Sequence, residues 1–385
     1  NFAEPRRSSS VFAGLFPKRR RWYITVLSQQ GAVPFFTGKK PSVQATPLPR
    51  KWCSPPYTIA KPSTIPRRIL PAVVSTAAIP RDADRVAILY NPKAGPTDSR
   101  ARVERLAKLL DERGFSTELF TDLDEAAAQA NRWHAERRLR AWIGAGGDGT
   151  AAELLNRADE GAPISFLPAG NSNLLAVYFK LAKDPETLCR TIAEGVVARI
   201  DAGEANGRLF SLMAGCGFDA DVVRRVHEYR TGHISLGSYA GPILKSIRAY
   251  DFPAIRIQWD ESVEAMPVEA RWLLAFNLPC YGGGLQIAPQ ADGADGWLDV
   301  CCLRRGRFWP GIFYAAAVIA RRHHRLADYA ACRAKSCRLT ADGEVPYQLD
   351  GDPGGVLPLD IRIRPGRMTI VVPPEAVTVK ESNNR

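Results

Sequence analysis

Four short strand-like runs, Val86–Tyr90, Ser116–Phe120, Ala141–Ile143 and Ile164–Leu167, alternate with amphipathic stretches, and this alternation leaves little choice of fold. Apolar runs of this length bounded by turn residues read as strands buried on both faces. After the first strand, Val103, Leu106, Leu109 and Leu110 share one side of a helix that Thr97 or Asp98 would cap and Gly114 would end. Asp124–Glu136 and Ala151–Ala158 supply the next helices. The pattern predicts a Rossmann-like α/β domain, a parallel sheet covered on both faces with its ligand at the carboxyl ends of the strands.

Past about Asp201 the texture turns to β. Phe210–Gly215, Ala254–Trp259, Arg271–Phe276, Leu298–Leu303, Cys337–Thr340 and Ile361–Ile363 are strand-like and separated by Gly, Pro or Asp turns, with helical stretches near Ala220–Tyr229 and Phe313–Ala320. The expected architecture is α/β plus β: an N-terminal α/β domain over 82–200 and an antiparallel β-rich domain over 201–374, with a cleft between them. A tail, 375–385, is expected to return to the first domain.

The net charge of +12 would suggest a nucleic-acid partner if it were spread over the fold. It is not. Residues 1–81 hold 14 Lys and Arg against one acidic residue, Glu4, while residues 82–385 hold 38 against 39. No nucleic acid is therefore expected to bind the folded part. The segment 1–81 is rich in Pro, Ser and Arg and reads as a disordered or non-native extension, with a targeting peptide or a lipid-attracted tail as alternatives. The eight cysteines include no C-x-x-C pair, so neither a zinc site nor a disulfide framework is legible, and a reducing cytoplasm is the expected setting.

Gly146-Gly-Asp-Gly-Thr150 falls where a strand ends and a helix begins. There, backbone N–H groups and the helix dipole can hold phosphate oxygens, and glycines let a polyphosphate approach. Asp148 is the single charged side chain of the turn. A carboxylate beside a polyphosphate is repelled unless a divalent cation, or a proton it is about to accept, lies between them, so Asp148 is a candidate for metal contact or general base. The competing reading is a glycine turn with a capping Asp.

Further segments match in order: Asn91-Pro-Lys-Ala-Gly95, Pro168-Ala-Gly-Asn-Ser-Asn173, Phe210-Ser-Leu-Met-Ala-Gly-Cys-Gly-Phe-Asp-Ala-Asp221, Tyr281-Gly-Gly-Gly-Leu-Gln-Ile-Ala-Pro289, Asp295-Gly-Trp-Leu-Asp299 and Leu349-Asp-Gly-Asp-Pro353. Together they resemble the diacylglycerol kinase catalytic domain family, shared by bacterial lipid kinases, sphingosine kinases and ceramide kinases and distantly related to NAD kinases. The resemblance implies an ATP- and Mg²⁺-dependent kinase that phosphorylates a lipid hydroxyl, of diacylglycerol or sphingoid type, at the membrane surface. It assigns the nucleotide to Asn91, Pro92, Gly95, Gly146, Gly147, Gly149, Thr150, Asn171 and Asn173, and the metal and base roles to Asp148 and Asp352. It also implies a structural metal loop holding Asp292, Asp295 and Trp297. The chain departs from the family pattern in four places: Ala294 stands in the metal loop for a residue that is often a second Asp, Asn171 for a Thr, Leu174 for a residue often acidic, and Asp352 for a Glu. The last three motivate the alternative of a catalytically weak or inactive nucleotide- or lipid-binding regulatory relative.

Phe308–Ala320 is a largely apolar run between Arg307 and a basic cluster from Arg321 to Arg325, too short for the ~20 residues that span a bilayer. A buried core helix and an interfacial helix both fit it. His323 and His324 are expected at the solvated surface, and His227-Glu228 lacks the second His of a zinc motif.

Overall fold

The structure is a computed structural model and describes residues 79–90, 99–170, 172–228, 240–261, 263, 266 and 268–376. The first half alternates as expected: β1 (Arg85–Tyr90), α1 (Ser99–Asp111), β2 (Ser116–Phe120), α2 (Leu123–Ala135), β3 (Leu139–Gly146), α3 (Asp148–Arg157) and β4 (Pro163–Pro168). Two helices follow, α4 (Leu174–Tyr178) and α5 (Pro185–Glu194). Val86–Leu89 and all of β4 are buried, as strands covered on both faces must be. The caps expected of α1, Thr97 and Asp98, lie outside the described residues. Asp122 caps α2 by accepting the N–H groups of Asp124 and Glu125, and α5 begins on Asp184 with Pro185 in its first turn and stops at left-handed Gly195.

The second half contains β5 (Val197–Ala205), β6 (Arg208–Phe210), β7 (Met213–Gly217), α6 (Phe218–Glu228), α7 (Ala240–Ala249), β8 (Ile255–Trp259), β9 (Glu269–Ala270), β10 (Trp272–Phe276) and β11 (Leu298–Leu303). It continues with α8 (Phe308–Ile319), β12 (Tyr329–Ala334), β13 (Ser336–Thr340), β14 (Pro346–Leu349), β15 (Asp352–Val356) and β16 (Leu359–Val371). Six of these strands form an antiparallel sheet in the order β12-β11-β10-β7-β14-β15. It packs on β8, β13 and β16 through a core that includes Phe210, Leu273, Val300 and Leu339.

The other sheet runs β2-β1-β3-β4-β16-β13-β8-β9, with β5 also paired to β16. Its parallel part ends at β4, where Thr369 and Ile370 of β16 align with Pro163 and Ile164. The earlier part of β16 pairs antiparallel with β13. One strand thus carries the hydrogen-bond ladder of the β-rich half into the α/β half. The expected C-terminal tail lies outside the described residues beyond Ala376, and residues 1–78 of the expected extension do as well. Ile79 is buried in the first core.

Arg140 on β3 closes the end of α5. It is buried, donates to the carbonyls of Ile192 at 2.8 Å and Ala193 at 2.6 Å, and sits where a Cβ on Gly195 would come within 2.3 Å of it. Burial lowers its pKa. Arg140→Met is expected to leave those carbonyls unpaired and to cost about 2 kcal/mol of stability. Urea unfolding with an unchanged m value would show it, and an unchanged midpoint would refute it.

Candidate functional site

β3 ends at Gly146 and α3 begins at Asp148, so strand becomes helix across a single residue, Gly147. The inner side of that turn has no room for side chains: a Cβ on Gly146 would lie 2.1 Å from the Thr150 hydroxyl oxygen. The β4–α4 turn presses against it, and a Cβ on Gly170 would lie 2.8 Å from the Gly147 Cα. Buried Asn173, left-handed at φ 46°, holds the second turn by accepting the Gly170 N–H at 3.0 Å and donating to the Gly170 carbonyl. Two glycine turns packed backbone to backbone bring two helix N-termini together, and the first N–H groups of a helix have no partner within it. An anion is stabilised at such a place.

Asp148 stands between these N-termini. Its Oδ1 accepts the Leu175 N–H at 3.2 Å. Burial pushes the carboxyl pKa up, against the backbone N–H groups of Leu174, Leu175 and Asn173, and the net shift is upward. Leu174, where an acidic residue was the expected pattern, puts an apolar side chain on the same cavity wall.

Asp352 reaches the same turn from the β14–β15 hairpin. Asp350 and Gly351 form its tip, with φ values of 52° and 91° that a tight hairpin requires. The half-buried Asp350 carboxylate accepts four donors: the Ser211 N–H at 2.6 Å, the Ser211 hydroxyl at 2.9 Å, and the Leu212 and Met213 N–H groups at 2.8 and 2.9 Å. Burial still raises its pKa. The clamp fastens the hairpin to the β6–β7 link, and the Asp352 Oδ2 then lies 3.7 Å from where a Cβ on Gly149 would stand.

Gly146, Gly147, Asp148, Gly149, Thr150, Asn173 and Asp352 line one cavity of about 580 Å³. Its other walls are largely apolar, with Val222, Trp272, Leu274, Leu303 and Ile319. Asn91, Pro92, Gly95 and Asn171 lie outside the described residues.

Sequence reasoning missed three polar groups on this cavity. His227 of α6 places its Nε2 3.3 Å from the Asp352 Oδ1, while its Nδ1 is 3.2 Å from the Val223 carbonyl. The two ring nitrogens thus face a carbonyl and a carboxylate, which can only accept. Asp219 is buried, accepts the Tyr281 hydroxyl and takes the Gln348 amide at 2.8 Å. Gln348 in turn accepts the Gly351 N–H at 2.7 Å, which joins Asp219 to the hairpin tip. Burial raises the Asp219 pKa. The available signal was an Asp in a helix turn otherwise facing the core. His323, expected at the surface, is instead buried: it is 2.9 Å from the Ile287 carbonyl, packs on the Tyr329 ring, and has its pKa lowered by burial. Its exposed neighbour His324 follows the expectation.

Asp292, Asp295 and Trp297 do not line the cavity. The Asp295 carboxylate accepts the Trp297 N–H at 3.0 Å and pairs with Arg333, whose guanidinium lies 5.4 Å above the Trp297 ring. Asp292 accepts the Ala294 N–H at 3.2 Å. Among the described residues no group of three or more His, Cys, Asp or Glu is placed to hold a metal ion. With a guanidinium already on Asp295, this loop does not fit a resident cation. Asp148 and Asp352 do suit Mg²⁺ in their chemistry, since that ion binds through one or two carboxylates plus phosphate oxygens.

Residues 85–205 match the diacylglycerol kinase catalytic domain, and residues 213–372 match the YegS C-terminal NAD kinase beta sandwich-like domain. A diacylglycerol kinase of Mycobacterium tuberculosis is 31% identical over 242 residues, 59% of this chain and 75% of that one. One from Bacillus subtilis is 25% identical over 284 residues, 71% and 91% of the two chains. The crystal structure of a diacylglycerol kinase from Bacillus anthracis shares the fold, with a TM-score of 0.55 at 18% identity over 76% of this chain and 98% of that one.

Asp148→Asn keeps an acceptor for Leu175 and removes a buried charge. Because the folded-state pKa is raised, the carboxyl favours folding fully only below the ordinary 3.8, and that contribution is lost as pH rises through the folded value. The variant is therefore expected to melt about 2 °C or more above wild type at pH 7, with the gap closing toward pH 4. Calorimetry across that range checks it, and equal melting at pH 7 would contradict it.

Proposed function

The chain belongs to the diacylglycerol kinase family, and from that premise we propose that it transfers the γ-phosphoryl group of ATP, with Mg²⁺, to the hydroxyl of a diacylglycerol or sphingoid-type lipid. One observation carries the reading: a single cavity joins a glycine turn suited to a polyphosphate, and two carboxylates, to walls that are largely apolar. A lipid with a hydroxyl at its polar end matches that division.

Gly146 to Thr150 and the N-terminus of α3 hold the phosphates. Asp148 would hold Mg²⁺, which when bound neutralises charge on the phosphate oxygens. The lipid oxygen forms a bond to the γ-phosphorus while the bond from that phosphorus to the β,γ-bridging oxygen breaks, releasing ADP. The hydroxyl proton goes to Asp352, which the His227 Nε2, 3.3 Å from its Oδ1, holds in place. Asp352 is one methylene shorter than Glu, and its Oδ2 lies 3.7 Å from where a Cβ on Gly149 would stand. Remaining chemistry is placement, which such transfers depend on most.

A labelled-ATP assay against a total lipid extract, with products identified by mass, is expected to yield a phosphorylated lipid only with Mg²⁺ present. Asp148→Ala and Asp352→Ala should each lower kcat by about 10²-fold or more with the fold intact, and His227→Gln by about tenfold with the KM for ATP unchanged. No ATP consumption with diacylglycerol, sphingoid base, ceramide and monoacylglycerol would replace this reading by that of a nucleotide- or lipid-binding regulator.

A further inference from the structure

A helix at a protein–water boundary turns charged or polar residues outward. α8 has none to turn: its single hydroxyl, on Tyr314, is used inward, donating to Asp328 and accepting the Arg305 N–H at 3.2 Å. Trp309, Phe313 and Ile319 face outward, 75%, 61% and 70% exposed, while Tyr314 and Ala317 are buried. The exposed positions 309, 313, 316 and 320 recur at helical spacing and form one face. Both ends of that face are basic. Arg304, Arg305 and Arg307 precede it and Arg321, Arg322 and Arg325 follow, all exposed. Among the described residues only Arg305 of these six is paired with a carboxylate, Asp328 at 3.6 Å.

We propose that the outward face of α8 docks on an anionic phospholipid surface. The rings enter the acyl boundary and the guanidiniums stay among the headgroup phosphates, which is how basic-ended amphipathic segments bind. At 12 residues the helix is about 18 Å long, too short for the ~30 Å hydrocarbon core, so it lies in the plane of the interface. A two-fold contact between copies would set the same basic rim against itself, which anionic headgroups relieve and a second copy does not. The placement also matters to the cavity. Ile319 is at once exposed and part of the cavity lining, together with Ala315 and Val318. If the cavity takes a lipid as proposed above, α8 sets its rim in the bilayer surface, and the acceptor hydroxyl moves toward Asp352 along apolar wall without its chains entering water.

The test compares the full chain with its Trp309→Ser/Phe313→Ser variant by co-sedimentation with phosphatidylglycerol and phosphatidylcholine vesicles, at low and high salt. The basic N-terminal segment is present in both chains, so the difference isolates α8. Wild type is expected to bind phosphatidylglycerol vesicles, with salt weakening binding in part, and the variant to bind them at least about 30-fold less tightly at high salt. The variant should keep its melting temperature and, with detergent-dispersed lipid, its phosphoryl transfer within about twofold. Val268→Ser, which alters another exposed apolar residue, should bind as wild type. Equal binding of variant and wild type, preference for phosphatidylcholine, no wild-type binding to either vesicle, or a wild-type dimer that the variant dissolves without changed vesicle binding would each overturn the proposal. Vesicle binding through α8 without phosphorylation of any lipid would leave this inference standing and remove the kinase reading alone.

Discussion

The half-buried carboxylate of Asp350 decides where the hairpin that carries the second acid of the site can be. Four donors from three consecutive residues, Ser211 to Met213, converge on it, so a hairpin near the end of the chain is tied to the link between two strands far earlier in sequence. A buried carboxylate left without donors is costly, and one so completely satisfied has a single acceptable position. From that anchor the adjacent left-handed glycine aims Asp352 across Gly149. The Gln348 amide adds a second tether, holding the same hairpin tip to Asp219 on α6.

The two carboxylates that face the cavity differ in how they are held. Asp148 is fixed by main chain, through Leu175 and the crowded glycines around it, and its environment disfavours its charge. Asp352 is half-exposed and has a side-chain neighbour, His227, 3.3 Å away. Such a division suits one group to a fixed electrostatic task and the other to a moving proton.

The parallel half of the fold was legible because its inner strands are buried on both faces and must be apolar, while the edge strand β2, exposed at Ser116, Glu118 and Leu119, was legible from its place in the alternation. Val86 to Leu89 and Ile164 to Leu167 leave no other reading, and the glycine turn after β3 marks itself by composition. The β-rich half was less legible for reasons that reside in particular residues. β15 contains Pro353, Gly354 and Gly355 and reads as loop; it is a strand because the Tyr347 ring lies over the glycines, where a Cβ on Gly354 would come within 2.3 Å. β16 was expected only over Ile361–Ile363, since Pro365 and Gly366 look like an ending. The structure runs the strand through them by shifting register between Arg364 and Met368. His227 gave no signal, because its partner is 125 positions away and only the fold brings them together. His323 misled, since a polar ring between arginines resembles surface until Ile287 and Tyr329 are seen to enclose it.

β16 has a mechanical consequence. Enzymes with a cleft between two halves often admit substrate by swinging the halves apart on a flexible connection. Here one strand is laced into both, next to β4 at one end and β13 at the other, with a register shift between Arg364 and Met368 where it passes from one half to the other. Because β5 pairs with β16 on both sides of that shift, a swing would have to bend two paired strands together, which resists separation of the halves. Access to the cavity is then expected through local rearrangement at its border rather than through separation of the halves.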